Sequence, residues 1–439
     1  MTLITQVRNA GVVGAGGAGF PTHVKLASEA RWYLGNGAEC EPLMHKDREL
    51  MINFPDEVIE GLQLAAQEVG ADRRGIGIKE KNTEATAALQ SVTGSDDLPF
   101  TFFGDFYPAG DEYELVYEIT GQLIPPAGIP LDIGVVVNNV ETLYNIAMAR
   151  QGKPVIRKMM TIAGAVAEPV TAWVPVGMAV RDVLELAGGP TAEPYAVMEG
   201  GLLMGNLVKD LSSPVTKITG GLVVLPSDHD LITRYSKSQK EMDRIGHSAC
   251  DQCTYCTELC PRYLLGYDVQ PHLVMRSLGF SAMGPELWNE HALLCCKCGL
   301  CTLYACPEAL YPREACERGI EDLKAIGRGE WEGSKEVRVH PMKEARRIPL
   351  SQIMNRIGVM KYEAPSRFTR LSEPPRQVTI LLKQHVGVPA HPVVTAGSTV
   401  EQGELIAGIP GEELGANIHA SIYGRVTAID ENAIVIEGT

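Results

Sequence analysis

Cys250-Asp-Gln-Cys253-Thr-Tyr-Cys256-Thr-Glu-Leu-Cys260-Pro261 places three cysteines at equal spacing and a fourth, after three intervening residues, before a proline. Soft thiolates this close along a chain wrap the iron atoms of a [4Fe-4S] cluster, and C-x2-C-x2-C-x3-C-P is a run such clusters use. A second run, Cys295, Cys298, Cys301 and Cys306 with Pro307, repeats it with four residues before the last cysteine. Zinc also favours C-x2-C spacing, but two such pairs satisfy it, whereas here each run is a triplet with a fourth member before proline.

In two-cluster bacterial ferredoxins the fourth cysteine of each run serves the other cluster. That rule predicts Cys250, Cys253, Cys256 and Cys306 on one cluster, and Cys295, Cys298, Cys301 and Cys260 on the other. Cys296 is an alternative to Cys295. Nine of the 11 cysteines fall between Cys250 and Cys306, which is ligand clustering and unlike the spread of a disulfide framework. Cys40 and Cys316 stand apart and are expected as buried thiols.

A chain of 439 residues needs more than one core, since about 250 residues is where single cores stop growing. Of the 439 residues, 45% are hydrophobic and 21% charged, a composition able to bury several cores. A net charge of -15 excludes nucleic acid as the main partner, because neutralising phosphates takes a surplus of Lys and Arg. No apolar run reaches the roughly 20 residues that span a bilayer, and Arg8 and Asn9 interrupt what a signal peptide would keep apolar. A cytoplasmic protein without a transmembrane segment is the expectation.

Residues 1–150 alternate short apolar strands with helices, as layered α/β domains do. Pro55 at a first turn, Asp56 and Glu57 at the positive end, and Val58, Ile59, Leu62, Ala65 and Val69 on one face predict a helix over 55–69 that Gly70 stops. A strand is expected at 76–79, and Asn82 is expected to cap a helix reaching Gln90. Residues 154–229 read as a small mixed α/β unit with a helix near 180–186, and 230–326 as the cysteine-rich helical unit. Residues 327–376 read as a basic linker: from Lys335 to Arg376 there are ten Lys or Arg against four Asp or Glu. Its charges are expected to pack on the chain's own acidic surface. Residues 377–439 read as a compact all-β module.

Gly14, Gly16 and Gly19 spell G-x-G-x-x-G, with Glu39 twenty residues beyond. The dinucleotide fingerprint follows a full opening strand, whereas only Val12 and Val13 precede this loop. What the glycines do offer is close approach of backbone amides to a phosphate or a flat ring, next to a helix starting near Pro21.

Further residues carry a resemblance. Gly14-Ala-Gly-Gly-Ala-Gly-Phe-Pro-Thr22, Lys25, Asn36-Gly-Ala-Glu-Cys-Glu-Pro42 with Lys46-Asp47-Arg48, and Asn138-Asn-Val-Glu-Thr142 resemble the FMN-binding subunit of respiratory complex I. They are still more similar to the Rnf complex C subunit and to the cobalamin reductases of propanediol-utilisation microcompartments. The resemblance implies that Gly14, Gly16, Gly17, Gly19, Lys25, Asn36, Glu39, Glu41, Asn138, Asn139 and Thr142 hold FMN. Tyr107 and Gly110, in Tyr107-Pro-Ala-Gly-Asp-Glu112, would lie near flavin and nicotinamide, and Glu39 and Glu41 are the expected catalytic residues. Gly164-Ala-Val-Ala-Glu-Pro169 with Val174-Pro-Val-Gly177 is similar to the β-grasp domain called SLBB. Val400-Glu-Gln-Gly-Glu-Leu405 and Ala420-Ser-Ile-Tyr-Gly-Arg-Val426 resemble a barrel-sandwich hybrid, with no lysine for a swinging arm at its hairpin.

The implied fold class is therefore α/β multidomain: a Rossmann-like flavin domain, an SLBB β-grasp domain, a helical two-[4Fe-4S] ferredoxin-like domain and a C-terminal all-β barrel-sandwich hybrid. The barrel-sandwich module comes last here and first in Rnf C subunits, which favours the corrin reductases over a docked Rnf-like subunit of a membrane-associated complex. The implied activity passes electrons from NADH through FMN and two [4Fe-4S] clusters to cobalamin. Implied partners are cobalamin-handling enzymes, namely an adenosyltransferase or a B12-dependent dehydratase, and microcompartment shell proteins, with the microcompartment as location. His385 and His419 are open candidates for cobalt ligands, or structural histidines.

Overall fold

In the parallel strand Trp32–Gly37, successive side chains point to opposite faces, and both faces are apolar. Tyr33 joins Leu50, Leu62, Val136 and Leu143 in one core, while Leu34 joins Phe103, Leu115, Val135 and Val137 in another. The result is a four-stranded parallel sheet in the order Phe100–Phe103, Arg73–Lys79, Trp32–Gly37, Val135–Asn139. The computed structural model describes residues 1–93, 98–278, 289–370, 373–411 and 413–438. From Trp32–Gly37 the chain winds outward through two strands, then returns to add Val135–Asn139 on the opposite side. The winding reverses between those two strands, and open α/β sheets bind ligands at the carboxyl ends flanking such a reversal.

The helix expected over 55–69 is Pro55–Glu68, and it crosses Val140–Arg150 so closely that a Cβ at Gly61 would sit 1.9 Å from the Leu143 carbonyl oxygen. No strand precedes the glycine loop. It follows the helix Leu3–Asn9 and is closed at its base by an isolated bridge from Val13 to Pro21.

A six-stranded mixed sheet follows, in the order Phe368–Thr369, Val170–Pro175, Arg157–Gly164, Gly221–Pro226, Tyr195–Glu199, Asn206–Leu207. Its edge strand Phe368–Thr369 comes from the segment expected as a linker. Two residues show no hydrophobic period, which is why sequence placed no strand there. The same segment pairs Ile348–Pro349 with Phe106–Tyr107 and forms the helix Leu350–Arg356. It is a strap stitched to two units. Its charges do pack on acidic partners: Lys343 Nζ donates to Glu114 at 2.7 Å and Glu118 at 2.6 Å, and Arg347 engages both carboxylates. Lys343→Met is expected to lower stability by about 1–3 kcal/mol, since it leaves the buried Glu114 with Arg347 alone. Urea melts of both proteins measure it.

The cysteine-rich unit is built of short helices. Its second, Gln239–Ala249, opens with Ser238 and Glu241 capping one another reciprocally. The C-terminal module has an antiparallel sheet ordered Gln377–Leu381, Ala433–Gly438, Gly424–Ile429, Thr399–Val400, facing a second of His391–Pro392, Leu405–Gly408 and Ile418–His419. Ile380, Ile406, Ile418 and Ile434 fill the space between. Lys217, from the middle unit, reaches Gly11 O and Asn417 O, each at 2.7 Å, so one side chain joins three units. Burial lowers its pKa to about 7.

Candidate flavin and iron-sulfur site

The reversal in the sheet brings together most of the residues expected around a flavin. Asn36 accepts from Ala38 N at 3.1 Å and donates to Gly110 O at 3.0 Å, so it ties the strand end to the 107–112 loop. Asn139 caps Val140–Arg150 and donates to Asp47 at 2.8 Å; Asn138 donates to the Tyr33 hydroxyl. Thr142 Oγ1 accepts from Ala15 N at 2.9 Å, which holds the glycine loop over this end of the sheet. Gly16 lies against Asn139, and Gly17, at a φ of +108°, has nothing within 4 Å of where a side chain would stand. Lys25 Nζ donates to Val137 O at 3.0 Å and lies 3.8 Å from Glu112. Its helix, Thr22–Leu26, is five residues long and contributes little dipole.

Glu39 accepts from Asp47 N at 3.2 Å and Arg48 N at 3.4 Å, at the amino end of Lys46–Asn53. Burial, then the neighbouring Asp47 charge, raises its pKa to about 7. A carboxyl raised in the folded state holds its proton longer there than in the unfolded chain. Its contribution is therefore fully present below about pH 4.5 and is lost as pH rises through about 7, at most about 3 kcal/mol. Glu39→Gln is expected to flatten that part of the stability profile in flavin-free protein, read from thermal melts between pH 5 and 8.

Glu41, expected beside Glu39 as a catalytic group, is instead taken up by the backbone of the middle unit. Its carboxylate accepts from Leu202, Leu203 and Met204 N–H at 2.9, 3.0 and 3.0 Å. Burial pushes its pKa up while those three donors oppose the rise. Tyr107, 2% exposed, sends its hydroxyl to Cys298 O at 2.6 Å. Thus two of the expected flavin residues brace the domain toward its neighbours.

Sequence reading missed the ionic floor of the crevice. Glu141, wholly buried, holds Lys158, lies 3.5 Å from Lys46 and accepts from Met159 N at 3.1 Å. Lys158 also donates to Ala15 O at 2.9 Å, and burial lowers its pKa to about 8. The available signal was a charge inside each of two apolar stretches, Val140–Arg150 and Arg157–Gly164.

An FMN fits these residues. The open space at Gly17 admits a ring or phosphate, Lys25 and Lys46 supply positive charge, and the amide side chains supply donors and acceptors. Behind the loop, the fully buried Thr22 keeps a hydroxyl with no partner.

In the cysteine-rich unit, Cys256 faces Cys306, Cys250 and Cys253, and burial followed by these neighbours raises its pKa to about 12. Cys260 is likewise pushed up by burial, with Cys295 and Cys296 beside it, while Cys301 faces Cys295, Cys256 and Cys260. Cys306 thus lies beside thiols of the first run and Cys260 beside thiols of the second. Among the described residues no three His, Cys, Asp or Glu side chains close on a single-ion site. Thiols gathered in this way, half of them buried, suit a multivalent cationic guest such as an iron-sulfur cube. The extra residue of the second run is absorbed locally: Cys301–Ala305 forms a wide turn closed by Cys306 N to Cys301 O at 3.1 Å, five residues apart. Cys295 meets the buried Cys316 and accepts from Lys297 N at 3.3 Å, while Cys296 lies beside Cys298 and Arg262. Both remain candidates. Arg262 also pairs with Asp111 at 2.9 Å and stacks on Tyr113, so the loop after Tyr107 meets the cysteines directly.

His385 and His419 are buried against Lys217, and burial lowers their pKa values to about 4 and about 3. His385 Nε2 accepts from Ala416 N at 2.9 Å. Both sit inside the C-terminal module, each with a buried Nδ1 that has no hydrogen-bond partner.

Four family models match the chain in order: the Nuo51 FMN-binding domain over residues 7–148, the SLBB domain over 159–207, a 4Fe-4S dicluster domain over 249–311 and the RnfC barrel sandwich hybrid domain over 357–438. A chain of a crystal structure of NAD+-reducing [NiFe]-hydrogenase shares the fold, with a TM-score of 0.50 at 23% identity, over 79% of this chain and 63% of that one. The C subunit of the Na(+)-translocating ferredoxin:NAD(+) oxidoreductase complex of Acetobacterium woodii is 36% identical over 59% of this chain and 57% of its own. Two proteins named cobalamin reductase PduS are each 40% identical. That of Citrobacter freundii covers 99% of this chain and 96% of its own, and that of Salmonella typhimurium 98% and 95%. With the flavin crevice, the two cysteine runs and the terminal barrel sandwich all in one matched length, the chain belongs to the family of the cobalamin reductase PduS.

Proposed function

We propose that the protein is an NADH-dependent corrin reductase, passing electrons through FMN and two [4Fe-4S] clusters to reduce cob(III)alamin or cob(II)alamin for B12-dependent diol metabolism. FMN exchanges two electrons with a nicotinamide and one with each cluster, which makes it the converter between them. The observation that carries this reading is the direct junction between the two sites: Tyr107 on Cys298 O, and Arg262 on Asp111. Lys25, Asn36, Glu39, Asn138, Asn139 and Thr142 hold the flavin, while Glu41 fixes the middle unit against the flavin domain. Within this reading the partner is an adenosyltransferase or a B12-dependent dehydratase, and the setting is a microcompartment.

Stopped-flow mixing of anaerobically reconstituted protein with NADH tests it. Flavin bleaching, followed by conversion of added hydroxocobalamin, is expected without membrane partners. Steady reduction of ferredoxin with no turnover of any corrin would favour the Rnf-like role instead.

A further inference from the structure

A cleft of about 860 Å³ opens where the flavin domain, the middle unit, the strap and the C-terminal module meet. That volume is in the range of small-molecule sites. One wall is aromatic. Tyr144 lies 4.9 Å from Trp173 at 34°, and Phe54 meets Tyr144, Trp173 and Phe368 edge-on at 5.5, 5.8 and 5.3 Å. Arg157 covers Trp173 at 4.6 Å and donates to the Tyr144 hydroxyl at 2.6 Å.

Two features set it apart from a seam between domains. Trp173 is 7% exposed and lines the cleft, yet its indole N–H is buried without a partner, a state usually resolved by an acceptor. In a chain of net charge -15, the lining includes Lys153, Arg157 and Arg370 and, among the described residues, no Asp or Glu. An aromatic cluster, an unpaired donor and a cationic rim suit a large ring that carries acceptors and a phosphate.

The cleft also adjoins the flavin crevice. Tyr144 follows Glu141 by three residues on one helix, about 4.5 Å along its axis, and Arg157 precedes Lys158 on one strand, pointing to the opposite face.

We propose that this cleft seats the corrin, with the ring against the aromatic wall and the nucleotide-tail phosphate at Arg157 and Arg370. The assignment rests on the corrin-reductase reading above.

Equilibrium binding of hydroxocobalamin, and of cobinamide, which lacks the phosphate and nucleotide, tests it on the holoprotein by quenching of tryptophan fluorescence and by calorimetry. Arg370→Glu is expected to weaken cobalamin binding about tenfold or more and to narrow its advantage over cobinamide. Trp173→Phe, which keeps a ring and removes the donor, is expected to weaken both ligands. Flavin content and melting temperature check that each variant is folded. Unchanged affinity in both variants, with corrin still reduced, would overturn the cleft and leave the function standing. Corrin bound here, sensitive to both variants and never reduced, would uphold the cleft and remove the function. Free FMN or NADH competing for the cleft while cobalamin does not bind would overturn the assignment to a corrin.

Discussion

Glu141→Ala is expected to destabilise the protein by about 3–5 kcal/mol, the range for breaking a buried ion pair from one side. Lys158 depends on this one carboxylate, which is fully buried, and Lys46, paired with Asp47 at 2.5 Å, lies 3.5 Å from it as well. Removing it strands the Lys158 charge, and the amide of Met159 loses its acceptor. The damage extends to the crevice, because Lys158 also holds Ala15 O in the glycine loop. Flavin retention should therefore fall together with the melting temperature. Glu141→Gln with Lys158→Met removes both members of the tightest pair, and is expected to recover part of the loss that Glu141→Gln alone incurs. Chemical denaturation of the single and double variants, with flavin released on gel filtration, measures both effects. Equal losses in the two backgrounds would show that the residues act independently.

Cys260→Ala is expected to remove one cluster and about half of the bound iron, and the cluster lost should be that of the second run. Although Cys260 belongs to the first run by sequence, its thiol neighbours are Cys295 and Cys296. The pairing shows in combinations. Adding Cys298→Ala should cost no further iron, whereas adding Cys253→Ala should cost the rest, as read by iron assay and EPR of the reduced protein. Were Cys253→Ala the silent addition, each run would keep its own cluster and the exchange would be wrong.

The parts of this molecule that sequence disclosed are those whose partners are near in the chain. Ligand spacing in the cysteine runs and the apolar face of Pro55–Glu68 are local patterns, and both appear where expected. The Gly14 to Gly19 text was legible too, but its meaning depended on a preceding strand that is absent among the described residues. What escaped is what depends on distant partners. Glu41 lies in the same short motif as Glu39, and only the approach of Leu202–Met204, some 160 residues on, sets their roles apart. Glu141 and Lys158 lie on either side of a domain boundary, so no window of sequence pairs them. The strap shows the same limit: its basic charge was visible, while its two short strands were not, because a two-residue strand is defined by its neighbour.

Lys217 gives the C-terminal module a different standing from that of an appended carrier. Its amine is shared between Gly11 and Asn417, so a rocking motion of the module would strip an acceptor from a water-poor position. The module is a keystone: a truncation that discards it would leave this buried amine with Gly11 alone and so reach the flavin domain far upstream.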